Sequence, residues 1–157
     1  MNTQDQLRLR APGAATSAGG RPILLATLGA PFEEEAIAIA IDAAVESGEP
    51  LIVANITRLE PLALSVMMGY DALEELTPDV SRSLRRSALT AAGFGLAVER
   101  LRIRTPRPVS ALLELVAERG PGLVVFGSDR RRLSRRLYRK AATALRGDAR
   151  CLVWLPD

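Results

Sequence analysis

Five short apolar runs punctuate the chain, and the period changes between them. Pro22-Ile23-Leu24-Leu25-Ala26-Thr27-Leu28, Leu51-Ile52-Val53-Ala54-Asn55-Ile56 and Leu123-Val124-Val125-Phe126 are essentially continuous, as strands buried on both faces of a parallel sheet are. Val98 to Arg104 alternates imperfectly, with Arg100, Arg102 and Arg104 on one face and Leu101 and Ile103 on the other. That pattern predicts a half-exposed edge strand. Cys151 to Leu155 is the last of the five.

Helical spacing fills the intervals. Ile37, Ile41, Ala44 and Val45 form one predicted inward face. Glu33, Glu34 and Glu35 occupy the first turn, where carboxylates suit the positive end of the dipole, and Gly48 supplies the stop. Because consecutive helical residues point apart, the three glutamates do not converge into an acid–base or metal site. Thr77-Pro78 is an N-cap followed by a first-turn proline, opening a helix with Val80, Leu84, Ala88 and Ala91 inward. A third helix runs from about Val109 to Arg119 with Leu112, Leu113 and Val116 inward. A basic fourth, from about Arg131 to Arg146, turns Leu133, Leu137, Ala141 and Leu145 inward. Strands alternating with helices predict an α/β fold whose parallel sheet is covered on both faces. The connection Leu62 to Leu76 carries a helical turn or two around Leu64, Met67, Met68 and Leu73, where the methionines fill core gaps. Met1 to Gly20, polar and then rich in Ala, Gly and Ser without a period, predicts a disordered leader, and residues 21–157 a single domain.

Composition narrows the chemistry. The 157 residues carry 48% hydrophobic and 25% charged side chains, as soluble globular proteins do. A net charge of +3 is too small to argue for nucleic acid. Lys140 is the only lysine, so the basic character is that of arginine. Cys151 is the only cysteine, which excludes an internal disulfide and suits a reducing compartment. Histidine is absent, removing the commonest general base and metal ligand; no catalytic residue and no metal site are expected. No apolar run reaches transmembrane length and the N-terminus lacks a signal-peptide stretch, so a cytoplasmic protein without a membrane partner is expected.

The candidate site is the stretch Gly122 to Asp129 and the basic run after it. Gly127-Ser128 ends a strand where a helix is expected to begin, and in open α/β sheets ligands sit at carboxyl strand ends, with helix amides open to an anion. Ser128 resembles a nucleophile elbow only superficially: the flanking glycine spacing and any histidine are missing, and it is better read as an N-cap. Arg130, Arg131, Arg132, Arg135, Arg136, Arg139 and Lys140 lie within eleven positions. They are either a solvated helix face, as charge runs ordinarily are, or guanidinium forks for an anionic ligand or an acidic protein partner. Tyr138 is the only aromatic among them, leaving single-stranded nucleic acid little to stack on, so that partner is disfavoured.

Several of these segments together carry a family resemblance. Pro22 to Ala30, the Ala-rich helix and Leu51 to Ile56 resemble the opening of the universal stress protein family. Pro108 to Leu113, leading through Gly120 into Leu123-Val124-Val125-Phe126-Gly127-Ser128, is similar to its third helix and fourth strand, and Leu145-Arg146 with Cys151 to Trp154 to its closing segment. The resemblance implies a Rossmann-like fold of the adenine nucleotide alpha hydrolase-like kind. Its sheet would be a five-stranded parallel open one in the order 3-2-1-4-5, with helices on both faces. It also implies a non-enzymatic homodimer acting in stress response.

Family members that bind ATP share an aspartate ending the first strand and a Gly-x-x-Gly after the fourth, with a Gly-Ser or Gly-Thr about ten residues on; the glycines let backbone approach phosphate. Here Gly127 and Ser128 are kept, Leu28 stands at the aspartate position, Arg130 replaces the second glycine, and no glycine lies around Tyr138 to Lys140. Gly127, Ser128, Arg130 and Leu28 are therefore a candidate vestigial nucleotide site. ATP is disfavoured as a cofactor, and a sensor of a nucleotide or other phosphorylated ligand is the alternative. The resemblance makes Cys151, Leu152, Val153, Trp154 and Leu155 an edge strand, without charge or internal proline, that would pair with a second copy.

Overall fold

A computed structural model describes residues 9–10, 20–59 and 78–157 of the chain. Strand β1 is Leu9–Arg10 and β2 is Ile23–Thr27; helix α1 spans Glu34–Ser47 and β3 Leu51–Arg58. Then follow α2 (Pro78–Gly93), β4 (Val98–Thr105), α3 (Pro108–Arg119), β5 (Leu123–Phe126), α4 (Arg135–Asp148) and β6 (Leu152–Trp154). The sheet order is β1-β4-β3-β2-β5-β6. Its five long-connected strands are all parallel and give the expected 3-2-1-4-5 order.

The sixth strand was not expected. Leu9–Arg10 pairs antiparallel with β4, Leu9 opposite Arg100 and Arg10 opposite Glu99. At these two positions the reading of an unstructured leader gives way, because β4 offers an unpaired outer edge. The helical turns placed around Leu64, Met67, Met68 and Leu73, and the cap at Thr77, lie outside the described residues.

Strands β2 to β5 feed two cores. Leu24, Ala26, Ile52, Ala54, Ile56, Leu101, Val124 and Phe126 face α3 and α4. Ile23, Leu25, Leu51, Val53, Val98 and Val125 face α1 and α2. This double burial is why the runs do not alternate. On α1 the inward stripe is Ala36, Ala40, Ile41 and Ala44, whereas Val45, expected inside, is 49% exposed. The helix is thus rotated to set alanines against the sheet, which lets it sit close. On α3 the buried set is Val109, Leu112, Leu115 and Val116, with Leu113 only half-buried. Gly48 and Gly120 close α1 and α3 in the left-handed conformation, at φ of 69° and 55°.

The largest departure is at α4. It begins at Arg135, after a turn, and its cap is Ser134, whose Oγ accepts from Leu137 N at 3.2 Å. The expected helix start beside Ser128 is therefore absent. Asp129 explains the delay: its carbonyl accepts from Arg132 N and Leu133 N, and its side chain from Arg131 N at 2.9 Å. An Asx-type turn takes those amides before a helix can.

Candidate functional site

The crevice at the switch point lies where β2 and β5 end side by side, with Ala26 opposite Phe126. In this fold a ligand would enter between the loop 28–33 and the segment from Gly127 to Ser134. Both walls are built from residues that bond to each other.

Ser128 is fully buried, and it is not an N-cap, correcting the reading from sequence. Its Oγ accepts from Leu28 N at 3.1 Å and lies 2.8 Å from Thr27 Oγ1. Thr27 Oγ1 donates to Ala30 O at 2.6 Å. A hydroxyl has one proton, so Ser128 must be the donor to Thr27. The bonds form one directed chain, from Leu28 N–H through Ser128 and Thr27 to the Ala30 carbonyl, with no proton left to point into the crevice.

Neighbouring amides are spoken for as well. Gly29, at φ of 72°, donates to Asn55 Oδ1 at 3.2 Å, and Phe32 N to Ser83 Oγ at 3.0 Å. Glu33 N donates to Gly127 O and Asp129 N to Pro31 O, both at 2.8 Å. The Arg130 amide, a natural anion donor, takes the Glu33 carboxylate at 3.2 Å. The Glu33 carboxylate thus satisfies the Arg130 amide.

Leu28 is buried at 4% exposure within the core between the sheet and α3–α4. Gly127 is needed for packing: a Cβ there would come within 2.7 Å of Ala36 Cβ, 3.0 Å of Leu25 Cδ1 and 3.2 Å of Phe32 Cδ1. Arg130 is exposed, its guanidinium 4.8 Å from the Tyr138 ring centroid. Tyr138 stands 5.7 Å from the Phe126 ring and donates its hydroxyl to Pro156 O at 3.0 Å. The four candidate residues therefore surround one crevice, but only Arg130 faces solvent. A depression of about 610 Å³ remains outside it, walled by Glu33, Glu34, Glu35, Asp129, Arg130 and Arg131. Its carboxylates oppose a polyphosphate.

The sequence reading passed over Thr27, Asn55 and Ser83. Thr27 and Asn55 carried a signal, since each is a polar residue near the carboxyl end of an otherwise apolar strand, and both are buried. Ser83 had none.

At the sheet's other edge, Leu152 is 74% exposed while Cys151, Val153, Trp154 and Leu155 are half-buried. Burial pushes the Cys151 thiol above its ordinary value, partly offset by Arg21 and by a backbone hydrogen bond at Val124. Among the described residues no cluster of three or more His, Cys, Asp or Glu could hold a metal, and no helix is long and apolar enough to cross a membrane.

A parallel open sheet with a ligand crevice at its switch point is the architecture of nucleotide-handling α/β proteins. The model of the Universal stress protein family matches residues 20–155, and the chain belongs to that family. Solved structures agree in fold. A universal stress family protein from Burkholderia pseudomallei is 20% identical with a TM-score of 0.63, over 87% of this chain and 96% of that one. Universal stress protein UspA from Lactobacillus plantarum is 12% identical at a TM-score of 0.65, covering 88% and 99%. The Archaeoglobus fulgidus universal stress protein in complex with dAMP is 14% identical at 0.57, covering 85% and 94%. No curated protein sequence matches significantly.

Proposed function

We propose that this chain is a non-enzymatic binding and regulatory protein of the universal stress type, working in the cytoplasm through residues 21–157. We further infer that it takes no ATP at the β2–β5 crevice. What carries this reading is the self-satisfied crevice. The amides of Leu28, Gly29, Phe32, Glu33 and Arg130 already have protein acceptors, and Leu28 is buried where ATP-binding relatives place an aspartate. A triphosphate would have to break several of these bonds and displace a carboxylate before gaining any of its own. Calorimetric titration with ATP and magnesium at physiological salt should show no saturable heat. Micromolar affinity would overturn the reading.

The homodimer belongs to the same proposal. β4 has β1 on its outer side, whereas β6 pairs only with β5 among the described residues, leaving its outer side open and Leu152 exposed. Antiparallel pairing of β6 with its copy would cover both. Light scattering should give a dimeric mass for the wild type and a monomeric one for Val153→Pro. A monomeric wild type at tens of micromolar refutes it, by the ordinary strength of such interfaces.

A second reading is favoured by relatives solved with cAMP and with dAMP. In it Arg130 and the run to Lys140 hold a phosphorylated ligand outside the crevice. Arg130→Ala would then weaken phosphate binding while leaving Tm nearly unchanged, since an exposed cation–π contact is worth only about 0.5–1 kcal/mol. Indifference in both measurements leaves the run a solvated face.

A further inference from the structure

The two helices on opposite faces of the sheet carry opposite charge in matching order. α1 exposes Glu35, Asp42 and Glu46, spaced seven and then four residues apart, with no basic residue anywhere in the helix. α4 exposes Arg135, Arg139 and Arg146, spaced four and then seven apart. Each row spans the same number of residues, about 16 Å of helix at 1.5 Å per residue. Laid antiparallel, the rows coincide: Arg135 on Glu46, Arg139 on Asp42, Arg146 on Glu35. The other exposed side chains inside that register are Ala38, opposite Thr143, Val45, opposite Arg136, and Lys140, opposite the buried Ile41. Among the described residues, the ion pair Arg119–Glu99 joins other elements, and none of these six side chains takes part in it.

We propose that α4 of one molecule docks antiparallel on α1 of a second copy of this chain. The donor and acceptor faces lie on opposite sides of one sheet. The contact is therefore heterologous, and it propagates from copy to copy instead of closing as a two-fold dimer. It needs neither the crevice nor β6. Exposed ion pairs are individually weak and screened by salt, so the association is reversible and responds to ionic strength. Opposite faces that attract also fix the register of approach, which is what charge complementarity contributes most.

Sedimentation velocity tests this. At about 30 mM salt the wild type should form species larger than its high-salt unit, whether that unit is a monomer or a β6 dimer. These should vanish near 0.3 M, where the Debye length falls to about 6 Å. Arg139→Glu alone and Asp42→Arg alone should each weaken the association by about tenfold, as attraction at one position becomes repulsion. Mixing the two variants, or combining both changes in one chain, should restore it. Arg139→Gln and Asp42→Asn, milder changes at the same exposed positions, should give a smaller loss in the same direction. Salt-independent sedimentation of the wild type, or single reversals that leave association unchanged, would overturn the proposal. So would an Arg139→Glu variant that loses affinity for duplex DNA or for an acidic polypeptide while self-association persists.

Discussion

Gly127→Ala asks whether the glycine at the crevice belongs to packing. Gly127 has no positive φ, so the substitution carries no backbone penalty, and its whole cost is crowding. The new methyl would stand 2.7 Å from Ala36 Cβ, a contact that real Cβ atoms essentially never show. Leu25 Cδ1 and Phe32 Cδ1, at 3.0 and 3.2 Å, need give by only a few tenths of an ångström. Ala36 cannot swing away, because its Cβ is fixed to α1, so the helix itself must shift. Overpacking of this kind costs about 1–3 kcal/mol. For a chain this size that lowers Tm by roughly 3–10 °C. Urea unfolding gives the free energy directly, and the control is Ala36→Gly. It removes the obstructing atom at a cost of about 1 kcal/mol in helix propensity. The double variant should then be more stable than the sum of the singles by at least about 0.5 kcal/mol, as contacting residues couple. A Gly127→Ala protein within about 0.5 kcal/mol of wild type, or strict additivity, would refute the close seating of α1 on β5.

Four further outcomes follow from two hydroxyls, one ion pair and one half-buried thiol. Thr27→Val strands the buried Ser128 hydroxyl and should cost about 1–3 kcal/mol, whereas Ser128→Ala should speed hydrogen exchange at the Leu28 amide. Unchanged Leu28 exchange would show that the hydroxyl chain is not formed in solution. Arg119 grips Glu99 through both terminal guanidinium nitrogens, at 3.0 and 2.9 Å, so Arg119→Ala should lose up to about 1 kcal/mol, less in high salt; a loss independent of salt would contradict an ion pair. Because the folded Cys151 pKa lies above its ordinary value, its contribution is present below that value and disappears as pH climbs through the folded one. The protein should therefore lose stability in alkaline solution more steeply than Cys151→Ala, and its thiol should alkylate slowly at neutral pH; equal slopes would refute the burial.

The fold was legible because strands buried on both sides write continuous apolar runs, and Gly48 and Gly120 mark the helix ends. What was not legible was rotation. Ile37, Ile41, Ala44 and Val45 fit helical spacing as well as the true stripe does, and only the sheet's demand for close approach selects the alanines. The two residues of β1 were equally hidden. Leu9-Arg10 has no pattern of its own, and what makes it a strand is the vacant edge of β4, some ninety positions away in the chain.

The site was half legible, and the reason is the range over which its bonds act. Leu28 and Arg130 announce a departure from the nucleotide pattern through residue type alone. The internal bonding of the crevice is invisible in any local window, since Ser128 meets Thr27 and Leu28 across about a hundred residues and Glu33 reaches Arg130 across nearly as many. A buried polar group left without a partner costs more than the bond it could have made. A crevice whose amides are shielded from water therefore needs internal acceptors for them. Ser128, Asn55, Ser83 and Glu33 accept from the amides of Leu28, Gly29, Phe32 and Arg130, so the closed crevice is a folded arrangement with its own stability.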